Sequence, residues 1–354
     1  MLTALIMAGG MGERFWPLST PEKPKQVLDI FTGQPLIKET VNRVLTLIPI
    51  EQVFVATNQI QAETIKRLIP DLPEKNIIIE PMFKDTAAAI GYGTLYIERD
   101  FPNSTIVVLP SDHIIMNVES FTKVIEKAYD EAHHSRSIVT LGIKPTHPET
   151  GYGYIEVDKV ESNEVTDVLS FREKPNFETA SKYLETNRFL WNAGMFIFNI
   201  NTMMEALSNH ANKHYIILQK IKYSMSNLYG LELTNTVKPL FEEFNRISID
   251  FAIMEKYDQI KVIPSDFGWS DVGDFNALKD IYNEVNSNIL LGDFIVTVDA
   301  SENIIIQKHP NKKTALLGVH GCIVVDTDEG LLVLDRQQTQ RIKDVLKLLS
   351  TSKQ

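Results

Sequence analysis

The sequence predicts an α/β protein, a doubly wound mixed sheet followed by a small domain of strands, and three observations carry that reading. Short apolar runs alternate with helix-length segments through most of the chain. This rhythm gives way to closely spaced strands after about Asn288. The 354 residues are 44% hydrophobic and 23% charged, enough apolar surface for more than one core. The expected division is a larger domain over 1–285 and a smaller one over 286–354.

From the N-terminus, "LTALIMA" (2–8) reads as a buried strand that runs into Gly9, Gly10 and Gly12. A helix is expected near Ile37 to Ile48, then the strand "QVFVAT" (52–57), the helix "QAETIKRLI" (61–69) and the strand "NIIIE" (76–80). In "STIVVLPSD" (104–112) the run Val107, Val108, Leu109 suits a strand covered on both faces, which puts Pro110, Ser111 and Asp112 past its carboxyl end. Ligands of open α/β sheets bind there. Beyond Asn288, "FIVTV", "NIIIQ", "TALLGV", "CIVVDT" and "LLVLD" leave no room for helices between them. The tail "TQRIKDVLKLL" (339–349) returns to helical spacing, with Ile342, Val345, Leu346 and Leu349 on one face. No fixed-period repeat, low-complexity segment or long linker is evident.

Against 35 Lys and Arg stand 46 Asp and Glu, a formal charge of −11. A surface of that sign repels polyanions, so no nucleic-acid role is expected and any bound anion must meet a local basic patch. One cysteine, Cys322, excludes an internal disulfide framework and suits a cytoplasmic chain. No amphipathic leader or run of 18 apolar residues is present, and no membrane role is expected.

The loop after the first strand invites three glycine readings. A dinucleotide fingerprint fails because Phe15 stands where its third glycine belongs, and a phosphate-binding Walker loop fails because no Gly-Lys-Ser/Thr follows Gly9. What remains is a tight turn whose amides face an anion. Gly9, Gly10 and Gly12 would let backbone N–H groups approach phosphate oxygens, with Arg14 and Lys25 adding charge-assisted bonds. A plain strand-to-helix turn with solvated cations is the competing reading.

The full string "GGMGERFWPLSTPEKPKQ" (9–26) resembles the signature of the sugar-nucleotide pyrophosphorylases, and its Trp16–Ser19 and Pro24–Gln26 spelling is similar to the mannose-1-phosphate guanylyltransferase (GDP-mannose pyrophosphorylase) branch. The resemblance continues through "EPMFKDTAAAI" (80–90), "LPSDH" (109–113), "TGYGYIE" (150–156), "FREKP" (171–175), "WNAGMFIF" (191–198) and "FGWSDVGDF" (267–275). It implies a Rossmann-like nucleotidyltransferase fold, and "LLGVHGCIVVDTDEGLLVLD" (316–335) is similar to the family's left-handed β-helix domain.

The activity so implied is transfer of GMP from GTP to α-D-mannose 1-phosphate, giving GDP-mannose and pyrophosphate by direct displacement. Such a site needs alignment and charge stabilisation. By resemblance, Arg14 and Lys25 hold the triphosphate, while Asp112 and Asp271 hold Mg²⁺. Read alone, Asp112 would equally suit a helix N-cap and Asp271 a turn. Lys174 pairs with the sugar phosphate, Glu173 takes sugar hydroxyls, and Gly153 with Asn192 completes that pocket. Ala8, Gly9, Gly10 and Gly12 line the nucleotide side, with Thr86 and Ser111 near base or ribose. Where the family pattern is Arg-Asn-Thr-Ala-Pro-Ala, this chain has Lys84-Asp85-Thr86-Ala87-Ala88-Ala89. The change replaces an amide by a carboxylate, so Asp85 is a candidate acceptor for guanine.

Alternatives are a pyrophosphorylase for another NTP and hexose 1-phosphate, a nucleotide-sugar glycosyltransferase, and a non-catalytic regulatory homologue. The second would carry Asp-x-Asp, whereas Ser111-Asp112-His113 has one carboxylate; the third should have lost one of Arg14, Lys25, Asp112 or Asp271. His210 and His214 read as a solvated helix face, Cys322 as core, and Trp191 as core or pocket wall. A homodimer through the terminal domain is compatible with the resemblance. No isomerase activity is expected, since the chain is short of the two-activity relatives.

Overall fold

The strand β1 (Leu2–Met7) is buried at its four central residues, with a parallel strand paired on each side. The computed structural model describes residues 1–10, 12–225 and 228–351. After β1 come α1 (Leu36–Val44), β2 (Val53–Asn58), α2 (Gln59–Leu68), β3 (Ile77–Glu80), α3 (Thr86–Asp100) and β4 (Thr105–Pro110). The short β5 (Ile114–Ile115) leads to α4 (Val118–His134), β6 (Ile138–Ile143), β7 (Gly153–Val157), β8 (Thr166–Glu173), α5 (Phe177–Thr186) and β9 (Phe189–Asn199). Then follow α6 (Ile200–His210), α7 (Asn212–Met225), α8 (Gly230–Glu242), β10 (Ile260–Ser265) and β11 (Trp269–Ser270). The last elements are β12 (Ile289–Leu291), β13 (Ile295–Val298), β14 (Ile304–Gln307), β15 (Thr314–Leu317), β16 (Cys322–Thr327), β17 (Gly330–Asp335) and α9 (Ile342–Thr351). Asparagines cap four of the helices, Asn58, Asn117, Asn176 and Asn199 each accepting a backbone N–H of the first turn.

The chain divides into two units that interleave in sequence. One holds Met1–Gly9, Thr40–Ser111 and Ile115–Trp269; the other holds Gly10–Glu39, Asp112–Ile114 and Ser270–Gln354.

The first unit is a nine-stranded sheet of order β3-β2-β1-β4-β9-β6-β10-β8-β7. β3, β2, β1 and β4 are parallel, as are β6 and β10, while β9 runs against β4 and β6, and β8 against β10 and β7. The sheet is therefore mixed, and the parallel rhythm expected from the N-terminal third does not extend across it. Winding changes direction between β1 and β4, so their carboxyl ends, at Met7 and Pro110 in register, mark the crevice of a doubly wound sheet. Ala8, Gly9 and Ser111 follow directly.

In the second unit, β12, β14 and β16 stack in parallel, β13 pairs with β15, and β17 closes antiparallel on β16. Two buried asparagines tie the rungs. Asn303 donates to Asn288 Oδ1, and Asn303 Oδ1 accepts from Cys322 N, spacings of 15 and 19 residues. Unequal rungs explain why no fixed period is visible in the sequence. Phe15 packs edge-on against Phe31 and Phe275 at 5.3 and 5.0 Å, anchoring the opening loop in this unit's core. Of the apolar face expected on α9, only Ile342 is buried; Val345 and Leu349 are exposed. Cys322 is partly exposed rather than core. No described helix is long and apolar enough to cross a membrane.

Candidate active site

Gly12 sits in the left-handed region at φ 62°, and a Cβ there would lie 2.5 Å from Lys25 Cβ and 2.8 Å from Lys25 N. Glycine is required because the chain folds back on itself. The "PKQ" end of the loop grips its beginning, with Gln26 donating to the Gly10 carbonyl at 3.2 Å and Ser19 to that of Gly12 at 2.7 Å. A Cβ on Gly10 would meet nothing within 4 Å, so this glycine answers no packing need.

Lys25 is buried at 6% exposure, and its ammonium donates to Asp112 Oδ2 at 2.9 Å and to the Asp271 carbonyl at 2.5 Å. Burial would raise the Asp112 pKa, but Lys25 and His113 outweigh it and hold the carboxyl below its usual range. Arg14 donates to the Gly273 carbonyl at 3.1 Å. Between Asp271 and Gly273, Val272 is fully buried at φ 47°, a strained conformation for a β-branched residue that its packing holds. Asn117, not Asp112, caps α4, and in the turn at 270–272 Ser270 Oγ accepts from Val272 N. Arg14, Lys25, Asp112 and Asp271 thus meet in one unit.

Hard carboxylate oxygens suit Mg²⁺, and the Lys25 ammonium, held by the Asp112 carboxylate and the Asp271 backbone carbonyl, shows oxygens of both residues around one cation. The residues fit the ion. Among the described residues no group of three or more His, Cys, Asp or Glu could hold a metal ion.

In the other unit, Ala8 N donates to the Ala56 carbonyl at 2.7 Å and Ser111 N to that of Met7 at 3.1 Å, fixing both strand ends. Asp85, at φ 71° and ψ 176°, caps α3 by accepting from Thr86 N at 2.8 Å. Thr86 Oγ1 accepts from Ile249 N at 2.8 Å. Lys84 caps the far end of α8 through the Glu242 and Phe244 carbonyls. A carboxylate that the sequence reading passed over lies here. Glu80, at the end of β3, has Oε1 3.6 Å from where a Gly9 Cβ would stand and no hydrogen bond or ion pair to its side chain among the described residues. Burial pushes it up to about 8.

The residues that the resemblance assigns to the sugar also assemble in this unit. Gly153 and Glu173 are register partners on β7 and β8, and a Cβ on Gly153 would come within 2.5 Å of Glu173 Oε2. The Glu173 side chain is 7% exposed; Lys174, at φ 48° and 62% exposed, donates to its Oε1 at 2.7 Å. Asn192 Oδ1 accepts from Thr140 Oγ1 and Gly194 N at 3.1 Å each, and its Nδ2 donates to Asp250 Oδ1 at 3.1 Å. Asp250, in a π-helical turn (Asp250–Met254), drew no notice in the sequence, although a lone acid in the apolar run "ISIDFAIM" is the signal that could have found it. Burial and the Glu173 carboxylate push its pKa up to about 6.

Other readings change. α6 ends at His210 and α7 begins at Asn212, so the two histidines share no helix face; His214 is buried with Nε2 3.1 Å from the Asn245 carbonyl. Trp191 is buried among Tyr152, His147 and Tyr154.

This fold and these clusters define a nucleotidyl-transferring enzyme: residues 3–288 match the Nucleotidyl transferase family and 293–349 the MannoseP isomerase/GMP-like beta-helix domain, and the chain belongs to that transferase family. It is 33% identical over 99% of its length to a Mannose-1-phosphate guanylyltransferase of Escherichia coli, covering 76% of that protein. It is 32% identical over 98% of its length to the Mannose-1-phosphate guanylyltransferase RfbM of Salmonella typhimurium, covering 72%. The solved structure of a mannose-1-phosphate geranyltransferase from Thermus thermophilus superposes with a TM-score of 0.87 at 30% identity, covering 99% of each chain. Within the family the chain stands in the mannose-1-phosphate guanylyltransferase branch.

Proposed function

We propose that the chain joins GTP and α-D-mannose 1-phosphate to give GDP-mannose and pyrophosphate, by direct displacement at the α-phosphorus with Mg²⁺ and no covalent enzyme intermediate. The relatives' shared activity supports the substrates, and one observation supports guanine over the other bases. Glu80 presents a carboxyl group beside Gly9 with no partner among the described residues, and its ionised form fits the N1–H and N2–H₂ donors that guanine has and adenine lacks. Asp85 is engaged as a helix cap, so base reading passes to Glu80 in this account.

The amides of Gly9, Gly10 and Gly12 and the Arg14 guanidinium face the triphosphate, where charge moves onto departing pyrophosphate. Lys25 holds Asp112 ionised and in place. Lys174, exposed at its head, takes the sugar phosphate, while Glu173 and Asn192 accept from and donate to the sugar. Asp112 and Asp271 would hold Mg²⁺, which when bound neutralises phosphate charge and aligns the oxygens. A cytoplasmic location and a homodimer belong to this reading, supported by the single thiol and by the exposed Val296, Val298 and Leu317 on β13 and β15.

The test is pyrophosphate release by purified protein with Mg²⁺ across four NTPs and several sugar 1-phosphates. GTP with mannose 1-phosphate should be fastest. Release from no pair, or a clear preference for another pair, would overturn the reading.

A further inference from the structure

Asp250 has no part in the roles assigned above, yet it sits among the sugar-side residues. Its Oδ1 accepts from Asn192 Nδ2 at 3.1 Å, and the other end of that amide is fixed by Thr140 Oγ1 and Gly194 N. Gly194 N can only donate, so it fixes the orientation of the amide, while the single Thr140 proton is shared with the Met195 carbonyl; among the described residues the second N–H of Asn192 has no partner. The turn that carries Asp250 is itself held, since Ile249 N donates to Thr86 Oγ1 at 2.8 Å and Ala87 N to the Ile247 carbonyl at 3.2 Å. A rigid mount of this kind suits recognition.

Charge indicates what approaches. Glu173 and Lys174 are the charged groups that face Asp250, and the ammonium, largely exposed, donates to Glu173 Oε1 at 2.7 Å. Two enclosed carboxyl groups that share the influence of one cation repel a phosphate and want neutral donors. Hydroxyl groups supply these. The phosphate of a sugar phosphate then belongs at the exposed head of Lys174, with the ring hydroxyls toward the acids.

We propose that Asp250 determines hexose selectivity: with Glu173 it forms a pair of acid acceptors for neighbouring sugar hydroxyls, and it holds Asn192 so that its remaining N–H meets a further sugar oxygen. This rests on the functional reading above. A site built to accept from a hydroxyl discriminates strongly against a hexose whose hydroxyl points elsewhere, because its acceptors are then left unpaired.

Asp250→Asn keeps an acceptor for Asn192 and replaces the second acceptor by a donor. It should raise KM for mannose 1-phosphate roughly 10- to 100-fold, the usual loss for a bond to a charged group. KM for GTP should stay within about twofold, and preference over glucose 1-phosphate should fall by a similar factor to the KM change. Asp250→Ala also frees Asn192, so kcat should fall as well. Thr140→Val, which removes one donor to Asn192 Oδ1, should raise the mannose 1-phosphate KM alone by a smaller factor. Melting temperatures accompany each variant. Unchanged hexose selectivity in the folded variants, or KM rising equally for GTP, overturns the proposal while wild-type turnover leaves the functional reading standing. A wild-type protein that turns over no pair overturns that reading, and this proposal with it.

Discussion

The Lys25 ammonium lies 2.9 Å from Asp112 Oδ2, and this ion pair holds the carboxyl below its usual pKa range against the opposing effect of burial. The resemblance implied a lysine waiting for triphosphate; the structure has one already committed to an acid.

Lys25→Met should therefore act on stability as well as rate. Removing the buried partner should cost about 1–2 kcal/mol at neutral pH, a discounted figure because the Asp112 side chain is 35% exposed. A depressed carboxyl stabilises above its unfolded pKa and loses that contribution as pH falls through its folded value. The melting-temperature gap between wild type and variant should accordingly close below about pH 4, the ordinary Asp value. A gap that persists in acid would assign the loss to packing.

Asp271→Asn should leave the protein folded, since buried Val272 anchors its loop. kcat should fall at least ~10²-fold, the scale of one lost electrostatic contact in a transition state. Wild-type turnover by this variant at limiting Mg²⁺ would remove Asp271 from the metal site.

Gly10 and Gly12 should separate. Gly12→Ala forces a Cβ onto Lys25 at positive φ and should lower stability and kcat together. Gly10→Ala has open space and should keep its melting temperature while raising KM for GTP, as a methyl group would stand between phosphate and backbone. An unaltered GTP KM for Gly10→Ala would show that this amide faces no phosphate.

Glu80→Gln should lose GTP preference over ATP by roughly 1–3 kcal/mol, whereas Asp85→Gly should leave the ratio unchanged. Its pH behaviour has the opposite sign to that of Asp112. A carboxyl raised to about 8 contributes stability at low pH that is lost as pH rises from its unfolded value through about 8, so Glu80→Gln should gain on wild type in thermal melts across that window and keep a constant lead above it. Base selectivity that follows Asp85 and not Glu80 would reverse this assignment.

The sequence by itself determined the strand-forming runs, the alternation that makes a doubly wound sheet, and the family, because period, composition and local motif are written along the chain. β1, β2, β3 and β4 are buried apolar runs and were legible for that reason. Only the tertiary structure decided which charges meet. Lys25 and Asp112 are 87 residues apart and Asn192 and Asp250 are 58 apart, and no local pattern encodes such a pairing. The antiparallel insertion of β9 between β4 and β6 was hidden likewise, since a strand's direction depends on where the chain re-enters the sheet. Burial is the common reason for the missed acids: Glu80 and Asp250 look like ordinary carboxylates until the fold removes water from around them, and that desolvation sets their chemistry.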